Sequence, residues 1–150
     1  MSRHAVGLAL CIAAGLAACS REQVLEPGFV PPDGNINVDF RTELSQYRLG
    51  GSANTTMVNR SPNTITMSLC NDALERAAGS TWVEVPQLAL PCALLAILVP
   101  PGDSVVRSVS LGPATTLGPG TYRIRRGFAV LHGTTSEYMY RRTNTFAIVR

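Results

Sequence analysis

The sequence predicts an all-β fold, an antiparallel sandwich or barrel, set behind a cleavable leader and a flexible tether. Three observations predict it. From residue 36 onward the apolar residues recur with period 2 rather than 3.6. The alternating runs come every 8–15 residues. Gly- and Pro-containing turns separate them, the layout of short strands in a two-layer β domain. The 150 residues provide one domain plus a tail. With 15% charged residues, against a usual ~25%, and a mean hydropathy of +0.13, the chain is neither a disordered polyampholyte nor a polytopic membrane protein.

The elements follow in chain order. Met1-Ser2-Arg3-His4 gives a short positive start, and residues 5–18 carry no charge. As a helix this run spans about 21 Å, short of a hydrocarbon core of about 30 Å. It therefore reads as a signal peptide rather than a span. It ends in Leu16-Ala17-Ala18-Cys19: a leucine three before a cysteine, then two small residues. That run resembles the lipobox of bacterial lipoproteins. The resemblance implies cleavage before Cys19, a diacylglyceryl thioether on its sulfur and an acyl chain such as palmitate on its amine. Two or three chains anchor stably where one binds marginally, at ~0.8 kcal/mol per buried methylene. Ser20 resembles an outer-membrane sorting signal for a Gram-negative cell, facing the periplasm.

Residues 20–35 hold Pro27-Gly28, Pro31-Pro32 and Asp33-Gly34 with little periodicity. They read as a linker with a reach of about 22 Å. The organisation is thus a leader over 1–18, a lipidated cysteine and tether over 19–35, and a sandwich over 36–150.

Within the sandwich, Ile36, Val38 and Phe40 alternate with polar residues, and so do residues 55–60, which stop at Ser61-Pro62-Asn63. Ile65, Met67 and Leu69 form the next run. Leu74-Glu75-Arg76 is expected to pair with residues 82–85 through an Ala-Gly-Ser turn. Residues 92–99 are apolar nearly throughout and end at Pro100-Pro101-Gly102-Asp103, where Pro101 and Gly102 suit the middle of a type II turn. A short helix over 89–98 is the alternative for this segment. The runs Val105/Arg107/Val109/Leu111, Tyr122/Ile124 and Phe146/Ile148 complete the set.

Of four cysteines, Cys11 leaves with the leader and Cys19 takes the lipid, so Cys70 and Cys92 are expected to form a disulfide. The bridge closes a 23-residue loop, worth about 3.4 kcal/mol in the chain-entropy account. Two thiols without neighbouring histidines make a poor zinc site.

The matching pieces Tyr47-x-Leu49-Gly50, Val58-Asn59-Arg60-Ser61, Leu74-Glu75-Arg76 with Gly79-x-x-Trp82, Pro101-Gly102-Asp103-Ser104 and residues 120–124 make the chain resemble the bacterial immunoglobulin-like domains of small envelope proteins. The resemblance covers residues 47–124 and implies an immunoglobulin-like antiparallel β-sandwich. Gly120-x-Tyr122 resembles a tyrosine corner, with the ring inward and the phenol reaching back to the backbone. Ile124 then takes the inward slot that holds the second cysteine of antibody domains. Cys70 and Cys92 are therefore expected to pin the 74–85 hairpin against the strand that follows.

The chemistry the sequence offers is sparse. All 13 basic residues are Arg, so there is no P-loop lysine, Schiff-base lysine or Ser–Lys dyad. A net charge of +3 scattered along the chain implies no nucleic-acid groove. His132 is the one histidine beyond the leader, it precedes Gly133 in a loop, and no Gly-x-Ser-x-Gly elbow accompanies it. Asp72, Glu75, Glu84 and Asp103 read as isolated acids rather than a hydrolase pair. Residues 33–39 place oxygen donors at every second position, but Val38 and Leu44 stand where a calcium loop needs Gly and Glu. The two Asn-x-Ser/Thr matches, at Asn54 and Asn59, are ignored in a bacterial lipoprotein.

The densest positive region is Arg123, Arg125 and Arg126 with Arg141 and Arg142, beside Tyr138, Met139 and Tyr140. Alternation puts Arg123 and Arg125 on one face with Ile124 opposite. This surface is either a solvated face or a contact for an envelope protein or anionic envelope polymer. No cofactor, metal or small-molecule substrate is implied. The expected function is a lipid-anchored, non-catalytic interaction or structural module of the cell envelope. The alternative is a proteinase inhibitor acting through a stiff loop at residues 111–120 or 88–91.

Overall fold

The computed structural model describes residues 36–68, 70, 72–86, 95–112 and 117–150. The leader, Cys19 and the tether lie outside the described residues. So do Cys92, residues 88–91 and residues 113–116, and with them most of what the inhibitor reading requires.

Eleven strands are described, and no helix occurs among the described residues. The first sheet has three antiparallel strands in the order β1 (Val38–Thr42), β3 (Ser52–Asn59), β8 (Ser104–Ser110). The second is organised by β9 (Gly120–His132), thirteen residues long. One edge of β9 pairs with β5 (Asp72–Ala78) and, further along, with β4 (Ile65–Ser68). Its other edge pairs with β11 (Phe146–Val149) and with β10 (Thr135–Arg142). The hairpin partner β6 (Thr81–Val85) extends β5, β7 (Ala96–Val99) extends β4, and β2 (Gln46–Arg48) runs parallel to β11. One continuous strand is thus flanked on both sides by interrupted ones.

Period-2 patterning becomes burial. Tyr122, Ile124, Phe128 and Val130 of β9 are fully buried, as are Ala53, Met57 and Ile65, with Val38 and Phe40 close behind. Each large apolar side chain removed from water contributes about 1.5–3 kcal/mol.

Local chemistry fixes the turns. Gly79 (φ 63°) turns the expected β5–β6 hairpin, which sets Leu74 opposite Val85. Gly102 (φ 83°) follows Pro101, and the Asp103 N–H donates to the Pro100 carbonyl at 3.1 Å, the expected type II turn. The Tyr122 phenol donates to the Gly118 carbonyl at 2.7 Å, so the tyrosine corner is formed.

Asn59 accounts for the Val58-Asn59-Arg60-Ser61 piece. It is fully buried. Its amide donates to the Asn63 and Val99 carbonyls, and its Oδ1 accepts from the Ser61 N–H and hydroxyl. A buried amide with both ends satisfied locks the β3–β4 turn onto the end of β7.

The structure differs from expectation in three places. The 92–99 run is strand only over Ala96–Val99 in its described part, which also removes the described end of the helix alternative. Two strands, β2 and β10, carry no clear alternation in the sequence. And β9 continues eight residues past Ile124, to His132.

Candidate functional site

The candidate site is the outer face of the second sheet, where β6, β5, β9 and β10 lie side by side. In a strand, successive side chains point to opposite faces. Ile124 points inward, so Arg123 and Arg125 point outward, as expected. The same parity sends Arg126 inward, against its grouping with the surface arginines. Arg126 is 0% exposed. Its guanidinium donates to both Asp72 carboxylate oxygens at 2.6 Å and to the Thr55 hydroxyl at 3.1 Å, and lies 4.6 Å from the centroid of the Phe40 ring. The sequence expectation of Arg126 as a contact residue is corrected: a side chain shut between two sheets meets no partner.

Arg141 is also engaged, donating to the Ile36 and Val38 backbone carbonyls. It ties the start of the domain to β10 rather than extending a charged surface.

On the outer face the acids are not isolated. Glu75 and Glu84 face each other across β5 and β6. Glu75, almost fully buried, accepts from Arg123 Nε at 2.5 Å and Arg142 Nε at 3.2 Å, with Arg125 Nη1 at 3.6 Å. Glu84 accepts from Arg125 Nη2 at 2.7 Å. The pairing of Glu75 with Arg123 follows from register, since the two are opposite on β5 and β9.

Aromatic rings cap the guanidinium planes. Arg123 lies 4.1 Å from the Trp82 centroid and Arg125 lies 5.0 Å from that of Tyr140. Tyr138 meets Tyr140 edge-on at 5.3 Å. Gly127 makes room for them: a Cβ added there would stand 1.9 Å from the Tyr138 hydroxyl. Of the Tyr138-Met139-Tyr140 run, Met139 turns into the core while Tyr138 stays exposed.

A cavity of about 190 Å³ opens at this tyrosine end, lined among the described residues by Asp72, Ala73, Glu84, Arg125, Tyr138 and Tyr140 together with Cys70. Asp72 borders this hollow from β5, while its carboxylate turns inward to grip Arg126. His132 stands apart in the β9–β10 turn region, half exposed, 3.9 Å from Glu137. No three His, Cys, Asp or Glu side chains among the described residues converge to hold a metal ion.

Chemically, the face is a set of guanidinium–carboxylate pairs with aromatic caps and one small polar hollow, suited to recognition through hydrogen bonds and ring contacts.

No curated protein matches the chain. Among solved structures, it is similar to the alkylpurine DNA glycosylase of Pseudomonas fluorescens bound to DNA containing an abasic site analog. The identity is 13% and the TM-score 0.37, over 78% of this chain and 32% of that one. It is also similar to the beta-glucosidase of Listeria innocua in complex with gluconolactone, at 15% identity and TM-score 0.30, over 73% of this chain and 16% of the enzyme. The chain spans about a third and a sixth of those enzymes, and their activities stay with them. The sequence model of the bacterial Ig-like domain family matches residues 34–145. With that match across most of the chain, and two β-sheets among the described residues, the protein belongs to the bacterial Ig-like domain family.

Proposed function

We propose that the chain is a lipid-anchored module of the bacterial cell envelope, an Ig-like domain that contacts or spaces other envelope components without catalysing a reaction. The observation that carries this reading is the order of its parts: a leader ending in Leu16-Ala17-Ala18-Cys19, a sixteen-residue tether, and then a domain of the Ig-like family. The lipid on Cys19 holds it to the membrane, and for a Gram-negative cell Ser20 directs it to the outer membrane. The partner is an envelope protein or polymer.

A Cys70–Cys92 disulfide belongs to the same reading, because it fits an extracytoplasmic address. Cys70 is engaged rather than free. It sits in the break between β4 and β5, and on either side of it the strands pairing with those two stop and start, β6 ending at Val85 opposite Leu74 and β7 beginning at Ala96 opposite Ser68. The segment joining those two ends contains Cys92.

Intact-mass measurement of the full chain, expressed in a bacterial host and purified from its membranes, tests the anchor and the bridge together. The expected species begins at Cys19, carries diacylglyceryl and acyl groups, and gains two hydrogens on reduction. Cys19→Ala should move the protein to the soluble fraction. A water-soluble chain cut at another residue, or a membrane-bound Cys19→Ala variant, would overturn the anchor.

A further inference from the structure

The cavity beside Tyr138 is lined by charges that already have partners, and this decides what it can hold. Asp72 accepts two bonds from Arg126, and Glu84 accepts one from Arg125. An anion would have to displace Glu84 from Arg125, and a cation would have to displace Arg125 from Glu84. Either exchange trades one partner for another of like charge, and with Glu84 59% exposed the trade gains little.

A neutral hydroxyl needs no such exchange. Each carboxylate oxygen has lone-pair capacity beyond one bond, and a guanidinium carries five N–H donors. Adjacent hydroxyls, which donate and accept at once, match such a mixed lining. The ring of Tyr138, 42% exposed, adds an apolar surface against which the C–H side of a sugar ring can lie. At about 190 Å³ the hollow is smaller than a drug-sized pocket of ~300–1,000 Å³, which fits a single ring rather than an extended ligand.

We propose that this cavity binds one sugar ring of a neutral glycan, with Glu84 and Arg125 hydrogen-bonding its hydroxyls and Tyr138 lying against its C–H face. The inference rests on the interaction-module reading, whose partner class it names, and is independent of the lipid anchor.

Calorimetric titration of the full chain in detergent tests it. The probes are chitohexaose and cellohexaose, neutral oligomers with and without acetamido groups, and heparin as a polyanion. At least one neutral oligomer should bind with a dissociation constant on the order of 1 mM, the range open to a single small ring, and added salt should leave it unchanged. Preference between the two neutral oligomers separates an amino-sugar source from a plain hexose one. Tyr138→Ala should weaken binding about tenfold, while Tyr138→Phe keeps most of it. Glu84→Gln, at a side chain 59% exposed, should weaken it while leaving the circular dichroism spectrum unaltered, and carries the test if Tyr138→Ala does not fold. No binding to either neutral oligomer, binding to heparin alone, or undiminished affinity in folded Tyr138→Ala and Glu84→Gln would each overturn the proposal. A lipidated amino terminus on a chain that binds no sugar would break this inference and leave the anchored module standing.

Discussion

Arg125 and Arg126 are consecutive residues of β9, and the pleat sends them to opposite sides of one sheet. Arg125 lies on the outer face, mostly covered, bonded to Glu84 and stacked near Tyr140. Arg126 lies in the core with no exposure, gripping Asp72 of its own sheet while reaching Thr55 and Phe40 of the other. Its Nη1 and the Nε of Arg125 are buried donors without a hydrogen-bond partner among the described residues. Same residue type, same strand, two energetic situations. Outside, water and several carboxylates share the work of holding the charge. Inside, one carboxylate does almost all of it, so the inner pair is the more fragile of the two even though its geometry is the better.

The largest effect expected from breaking this contrast is on the inner pair. Arg126→Ala leaves Asp72 without its counter-charge beside the core and should cost about 3–5 kcal/mol, a large share of the ~5–15 kcal/mol typical of a domain. Urea unfolding measures it. The double variant Arg126→Ala/Asp72→Asn should recover part of the loss, because an amide tolerates the site without a cation. If the double variant is no more stable than the single, the loss comes from packing against Phe40 rather than from an unpaired carboxylate.

Glu75→Gln comes next, on the outer face. Glu75 is the hub for Arg123, Arg125 and Arg142, and its own side chain is only 6% exposed. Bonds to charged groups are worth about 1.5–3 kcal/mol, and an amide retains some of them, so a loss of about 2 kcal/mol is expected in the same assay. A loss below that of an exposed surface pair would mean that the three arginines rearrange onto Glu84.

These two sites also mark how far the sequence could be read. The two-sheet class, the β5–β6 hairpin, the Pro101-Gly102 turn and the tyrosine corner are legible because each depends on residues near one another in the chain. Arg126 is not, because a charged residue beside Arg125 reads as surface. Yet the parity that buries Tyr122 and Ile124 continues through Arg126, Phe128 and Val130, and extending the alternation by three more steps identifies it. Strand β10 is hidden differently: Tyr138, Met139 and Tyr140 are apolar in a row, and only the pairing with β9 shows that Met139 alone turns in. The Glu75 hub has no sequence signal at all. Its partners Arg123 and Arg142 lie 48 and 67 residues away, so register, not motif, creates it.

The smallest expected effect sharpens the comparison within one cross-strand pair. Glu84 faces Glu75 across the hairpin and holds Arg125 at 2.7 Å, a shorter contact than the 3.6 Å from Arg125 to Glu75. Distance alone would make Glu84 the stronger partner. Exposure argues the reverse, because a carboxylate 59% open to water gives up little hydration and gains little from its pair. Glu84→Gln should therefore change stability by no more than about 0.5 kcal/mol, with an unchanged urea m-value marking an intact fold. A loss as large as that of Glu75→Gln would show that the arginine–carboxylate face acts as one unit, and that burial of a single member does not set its worth.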